Sequence, residues 1–175
     1  ITIMVLELRP PHGTDFEALR VLMPAFLTYV LSFVYLGIYW GNHHHLFHTV
    51  THVTGGILWA NLDLLFWLSV VPFATGWMGE NHFAAVPTAI YGVPLLCAGI
   101  AYYVLEKVII YAQGPESKLA AAVEKDVKGK VSLLLYIASI AFAFINQWVS
   151  DAIYVAVALI WLIPDPRIEK RAGSR

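Results

Sequence analysis

The sequence predicts an all-α integral membrane protein: a helical repeat of six spans, the first of them incomplete. Three observations lead there. Of 175 residues, 59% are apolar and only 13% are charged, against about 25% charged in water-soluble domains, and the mean hydropathy is +0.67. Uncharged or nearly uncharged runs recur at the length a bilayer demands, since a hydrocarbon core of ~30 Å needs roughly 20 helical residues. Lysine and arginine gather in alternate connections, the asymmetry that marks cytoplasmic loops. The same composition excludes other classes. A formal charge of −1, from eleven Lys/Arg against twelve Asp/Glu, is not the basic field of a nucleic-acid binder. Cys97 is the single cysteine, so no intrachain disulfide forms. The apolar content excludes disorder.

The chain opens inside an apolar stretch, Ile1 to Leu6, with neither a methionine nor the basic leader of a signal peptide. Residues 1–8 are therefore expected to be the second half of a helix whose first half is absent. Further spans are expected at 19–41, at 53–78 (interrupted only by Asp63), at 83–106, at 131–147 and at 151–164. Asn146 to Asp151 reads as a tight hairpin between the last two spans. The final span is short and either runs through Pro164, tilts, or sits in a locally thinned bilayer.

Connector 107–130 holds Lys107, Lys118, Lys125, Lys128 and Lys130, and tail 165–175 holds Arg167, Lys170, Arg171 and Arg175. The opposite connections hold only Arg9 and Arg20. With six spans, both chain ends and the Lys-rich connector fall on one face, the cytoplasmic one. Within the connector, residues 113–130 read as a solvated polar helix bearing Glu116, Lys118, Glu124, Lys125 and Asp126. No repeat, low-complexity tract or second domain interrupts this single membrane domain.

A polar residue inside a bilayer is costly and needs a reason. Asp63 is a candidate intramembrane polar site, able to hold a cation or relay a proton; the alternative is a carboxyl buried against a neighbouring helix. Trp40-Gly41-Asn42-His43-His44-His45 is followed by His48 and His52. If helical, His44, His48 and His52 share a face at the spacing that suits a metal. Their place at a membrane–water boundary beside Trp40 and Phe47 favours a structural hydrogen-bond network instead, and no metal site is expected.

No glycine-rich phosphate loop, Gly-x-Ser-x-Gly elbow or paired carboxylates point to an enzyme, and no Thr-Val-Gly-Tyr-Gly filter is present. Gly55, Gly56, Gly92, Pro24, Pro72, Pro87 and Pro94 fall within spans, where small residues permit close approach and prolines kink. Thr2 and Leu6 lie four residues apart on one helical face. Such a face either packs on neighbours or, repeated around an axis, makes a ring of hydroxyls followed by a ring of leucines that gates by dewetting.

Ile1-Thr2-Ile3-Met4-Val5-Leu6-Glu7-Leu8 resembles the second half of the first span in bacterial homologues of the lysosomal potassium channel, transmembrane protein 175. Trp40-Gly41-Asn42-His43-His44 with Leu46-Phe47 is similar to that family's Trp-x-Asn-His-His segment. Leu58-Trp59-Ala60-Asn61-Leu62 and Val71-Pro72-Phe73-Ala74-Thr75 look like its third span, and Ile163-Pro164-Asp165-Pro166-Arg167 like its usual ending.

The resemblance implies a potassium-permeable channel of the bacterial cell membrane, assembled as a homotetramer with its pore at the oligomer axis. No cofactor is implied, K⁺ being the permeant ion. The first span would line the pore: Thr2 as a polar layer, Leu6 as an apolar layer forming a hydrophobic gate, and Ile3 adjacent to it. Trp40, Asn42, His43 and His44 would form a structural and gating network. The family's Arg followed by Phe-Ser-Asp, which precedes the pore layers, is not in this sequence, and truncation at the amino end is the expected reason. A proton-coupled secondary transporter and a non-conducting membrane scaffold are the alternative functions.

Overall fold

The computed structural model describes residues 16–114, 119–120 and 127–162, with positions 5, 8 and 10. Among the described residues the order is α1 (Phe16–Val21), α2 (Met23–His48), α3 (Gly55–Glu80), α4 (Ala85–Gln113), α5 (Val127–Phe142) and α6 (Gln147–Leu162), with no strand. Three of these, α2, α3 and α4, are long and apolar enough to cross a membrane. At 26, 26 and 29 residues they rise about 39, 39 and 44 Å. By the same rise α5 and α6, at 16 residues each, reach only about 24 Å.

The helix ends follow local chemistry. Pro24 enters α2 in its first turn, where its missing N–H costs nothing. Thr54 caps α3 by accepting from the Ile57 N–H at 3.4 Å. Gly114, at φ 91°, ends α4 in a conformation that a Cβ disfavours. Asn146 starts α6: its side chain accepts from the Trp148 N–H at 3.0 Å, and its carbonyl accepts from Val149 and Ser150.

These caps move the expected boundaries. The segment expected at 19–41 is divided, with residues 19–21 in α1 and the rest beginning at Met23, and it runs on as α2 to His48, because one interior glycine, Gly41, costs only about 1 kcal/mol and the following side chains find partners. The segment expected to stop at 106 continues to Gln113, and the Lys107 ammonium lies over the Tyr103 ring on the same helix, with Nζ 5.2 Å from its centroid. Residues 107–113 thus belong to α4 and 127–130 to α5. The tight hairpin lies at 143–146 rather than 146–151, since Asn146 is a cap and not a turn centre. The polar helix expected across 113–130 falls mostly outside the described residues, as do residues 1–4 and the tail 165–175.

Consecutive long helices run antiparallel. The most extensive contact is α3 on α4; α4 also meets α5, α5 pairs with α6, and α2 rests on α3 and reaches α6. One apolar cluster gathers Tyr35, Val71, Met78, Tyr91, Leu95, Tyr136 and Tyr154. A second, toward the connector end, gathers Tyr39, Ile57, Leu64, Ala98, Leu105 and Ile109. Lipid is as apolar as leucine, so packing and interhelical hydrogen bonds hold such a bundle rather than release of water.

The hydrogen bonds are supplied by buried hydroxyls. The Thr75 hydroxyl on α3 donates to Ser32 Oγ on α2 at 2.7 Å, and the Ser32 and Tyr91 hydroxyls share a bond at 2.9 Å, joining three helices. Tyr154 donates to the Thr88 carbonyl at 3.1 Å, and Tyr35 donates to the Tyr154 carbonyl. Between α5 and α6, Ser139 donates to the Ser150 carbonyl at 3.0 Å. Close approach is bought at glycines, two of them at the hydroxyl chain's end of the bundle. A Cβ on Gly92 would collide with the Tyr154 hydroxyl and lie 2.6 Å from Ile140 Cγ1; one on Gly79 would lie 2.8 Å from the Ala25 Cα.

Gly92→Ala is expected to destabilise the protein by roughly 1–3 kcal/mol through overpacking. Gly37→Ala, where a Cβ meets nothing within 4 Å, is expected to be neutral or to stabilise by up to about 1 kcal/mol. Thermal unfolding of the two variants in one detergent compares them, and equal melting temperatures would show that the α4–α6 contact is loose. By the same measurement Tyr91→Phe, which removes one link of the hydroxyl chain, should cost about 0.6–1.7 kcal/mol.

Candidate functional site

Because α2 continues to His48, residues 40 to 48 present three edges of one helix. The first edge faces α3: His43 Nε2 lies 2.6 Å from Asn61 Oδ1. An amide oxygen only accepts, so this ring carries its proton on Nε2 and donates it. The Phe47 ring backs His43, 4.6 Å away between centroids. The second edge faces α4, where the Tyr102 hydroxyl donates to the Asn42 carbonyl at 3.2 Å. The Asn42 side chain turns back on its own helix and donates to the Ile38 carbonyl at 3.0 Å.

The third edge points out of the described bundle. Trp40 and His44 stack with an interplanar angle of 11°, and His48 stands edge-on to His44, with Nε2 to Nε2 at 3.0 Å. That short bond needs one ring to donate and the other to accept. His44 and His48 are exposed, and Trp40 is 67% exposed. An aromatic and two imidazoles in line, with nothing described against them, make a ready surface for another helix.

His52 does not join this line. The helix is closed at Thr49, whose hydroxyl donates to the Leu46 carbonyl at 2.7 Å, and His52 lies beyond it, with Nδ1 3.2 Å from the Thr51 hydroxyl. The shared face of His44, His48 and His52 therefore does not form. Among the described residues no group of three or more metal-ligating side chains gathers.

Thr2, Ile3 and Leu6 lie outside the described residues. Asp63 is brought to neither the histidines nor the core. It stands on the exposed face of α3, between Trp59 and Phe66, which are 75% and 58% exposed, rather than buried against a neighbouring helix of the same chain.

Three features escaped the sequence. Asn61, the partner of His43, was visible only as a polar residue inside an apolar run. The hydroxyl chain of Ser32, Thr75 and Tyr91 had no sequence signal, because serine, threonine and tyrosine hardly lower hydropathy and their spacing follows no local period. Asp151, placed by the sequence in a hairpin, sits in the first turns of α6 with both carboxylate oxygens buried and no described hydrogen-bond partner.

Residues 1–72 match the sequence profile of the family described as Endosomal/lysosomal potassium channel TMEM175. A protein named as a potassium channel from Chryseobacterium sp. (strain P1-3) is 53% identical over 97% of this chain and 88% of its own length. Another so named, from Streptomyces collinus, is 26% identical over 99% of this chain and 91% of its own. Among solved structures, the lysosomal potassium-selective channel TMEM175 homologue from Chamaesiphon minutus superposes with a TM-score of 0.79 at 24% identity, covering 93% of this chain and 88% of that one. That likeness speaks for the fold. The identity to the Chryseobacterium protein across nearly the whole of both chains settles descent: this chain is a membrane protein of the TMEM175 family.

Proposed function

We propose that this chain is the subunit of a potassium-permeable channel of the bacterial cell membrane, which conducts passively and needs no resident cofactor. The observation that carries this reading is the 53% identity, over 97% of the chain, to a protein named as a potassium channel. Several copies, four in the family the sequence resembles, surround a common axis with both chain ends and the Lys-rich connector in the cytoplasm.

Two features of one copy support assembly. Its described core is packed with side chains and bonded hydroxyls, which favours an ion path between copies over one through a single copy. Asp63 stands about 12 Å along α3 from its start, exposed among large apolar side chains. A carboxylate there is costly against lipid and is relieved by protein or water at an interface.

In this proposal the first span lines the axis. Thr2 hydroxyls give a passing ion partial solvation, and Leu6, with Ile3 adjacent, forms a greasy constriction in which an ion must shed water or the ring must widen. Potassium, the larger ion, gives up water at lower cost than sodium, so selectivity arises without a carbonyl cage. The edge of Trp40, His44 and His48 is the surface that holds this span, and His43 with Asn61 fixes α2 on α3 behind it.

Full-length protein in liposomes should pass K⁺ down its gradient faster than any transporter turnover, with no proton gradient required. Flux that needs a proton gradient would instead mark a coupled transporter, and no flux would mark a scaffold. Leu6→Ala should widen the constriction, raising flux and shifting the reversal potential toward that of a non-selective cation pore; an unmoved reversal potential removes Leu6 from the pore. A double-mutant cycle with His43→Leu and Asn61→Leu should show coupling of about 0.6–1.7 kcal/mol in stability, and an additive result would mean that the two side chains do not meet.

A further inference from the structure

The bundle does not close along its whole length. Midway, the Tyr35 hydroxyl ties α2 to the Tyr154 carbonyl of α6. Two turns further along α6, the Trp161 indole turns to α5 and donates to Ser132 Oγ at 2.7 Å. With α6 drawn toward α5, a cleft of about 230 Å³ remains between α2 and the α5–α6 pair, floored by α4. At the floor Gly99 lets Leu133 of α5 pack closely on α4: a Cβ there would lie 2.8 Å from Leu133 Cδ2. The cleft sits where the second halves of α2 and α4 and the last turn of α6 meet the first half of α5, toward the connector end.

Its walls fix what can fill it. Ile38, Tyr39, Leu133 and Tyr136 make them mostly apolar. Several polar groups among them are already engaged: Tyr102 donates to the Asn42 carbonyl, the Asn42 amide donates to Ile38, and Trp161 donates to Ser132. Around the mouth the charge is positive. Exposed Lys130 lines it, Lys107 lies over the Tyr103 ring of its wall, and Lys128 donates to the Ile160 carbonyl at 3.4 Å. Glu106, the acid on the wall, is 8% exposed and already engaged.

We propose that this cleft binds an anionic phospholipid from the leaflet on the connector side, with an acyl chain between α2 and α5 and the headgroup phosphate against Lys130 and Lys107. An apolar slot beneath clustered ammonium groups is the complement of a lipid whose tail and charge are joined. The site is independent of ion conduction and does not rest on it.

Native mass spectrometry of the detergent-purified protein tests this, with phosphatidylglycerol and phosphatidylcholine of identical acyl chains added in turn. Phosphatidylglycerol should be retained preferentially. Lys130→Gln, a change at an exposed residue, should lower its retention about fivefold while leaving phosphatidylcholine unchanged. Ile38→Trp, which fills the slot, should lower retention of both lipids, and soluble glycerol phosphate should compete with neither. Equal retention of the two lipids together with an unaffected Lys130→Gln overturns the headgroup contact. Full retention by a folded Ile38→Trp protein overturns the location, and displacement by glycerol phosphate would mark a site for free anions instead.

Discussion

Within a bilayer there is no water to answer a polar group that the protein leaves unanswered, and the described bundle is organised around that constraint. Its helices satisfy their own backbones, as any spanning element must. The hydroxyls of Ser32, Thr75, Tyr91 and Tyr154 then answer one another or a carbonyl of a neighbouring helix. Each bond is modest in lipid, but together they join α2, α3, α4 and α6 at fixed rotations. Gly92 and Gly79 allow this by letting Tyr154 and the start of α2 come close. Change the approach of two helices by one methyl group and both the packing and the bonds must shift.

The same constraint distinguishes the faces of the molecule. Where α2 meets α3 and α4, its polar residues are matched: His43 by Asn61, the Asn42 carbonyl by Tyr102. On its outward edge, Trp40, His44 and His48 meet one another, and on α3 Asp63 stands among exposed aromatic side chains. A surface of that kind suits contact with further protein rather than with lipid tails. In the proposed assembly it holds the pore-lining span and meets other copies, so one constraint shapes both the interior of a subunit and the contacts between subunits.

The connector end differs from the rest of the bundle. There the bonds of Trp161 and Lys128 turn α6 toward α5 and leave a slot along α2 whose walls are mostly apolar. Interiors of proteins hold few voids larger than a water molecule, so an apolar gap bordered by lysines is a feature to be filled. A bilayer offers an occupant of the right chemistry on that side.

Read alone, the sequence determined the class of the molecule and the presence of its helices, because hydropathy over a window and the placement of charge are local properties. It misplaced ends wherever a single side chain decided them: Gly41 did not break α2, Lys107 did not stop α4, and Asn146 proved to be the cap of α6 rather than the middle of a turn. It left His52 able to share a face with His44 and His48 if the segment were helical that far, and the closing bond at Thr49 ends the helix first. Tertiary structure alone decided which polar residues meet. Ser32 and Tyr91 are 59 residues apart in sequence, and Tyr35 and Tyr154 are 119 apart. Such pairs form through the approach and rotation of whole helices, and no local pattern in the chain encodes either.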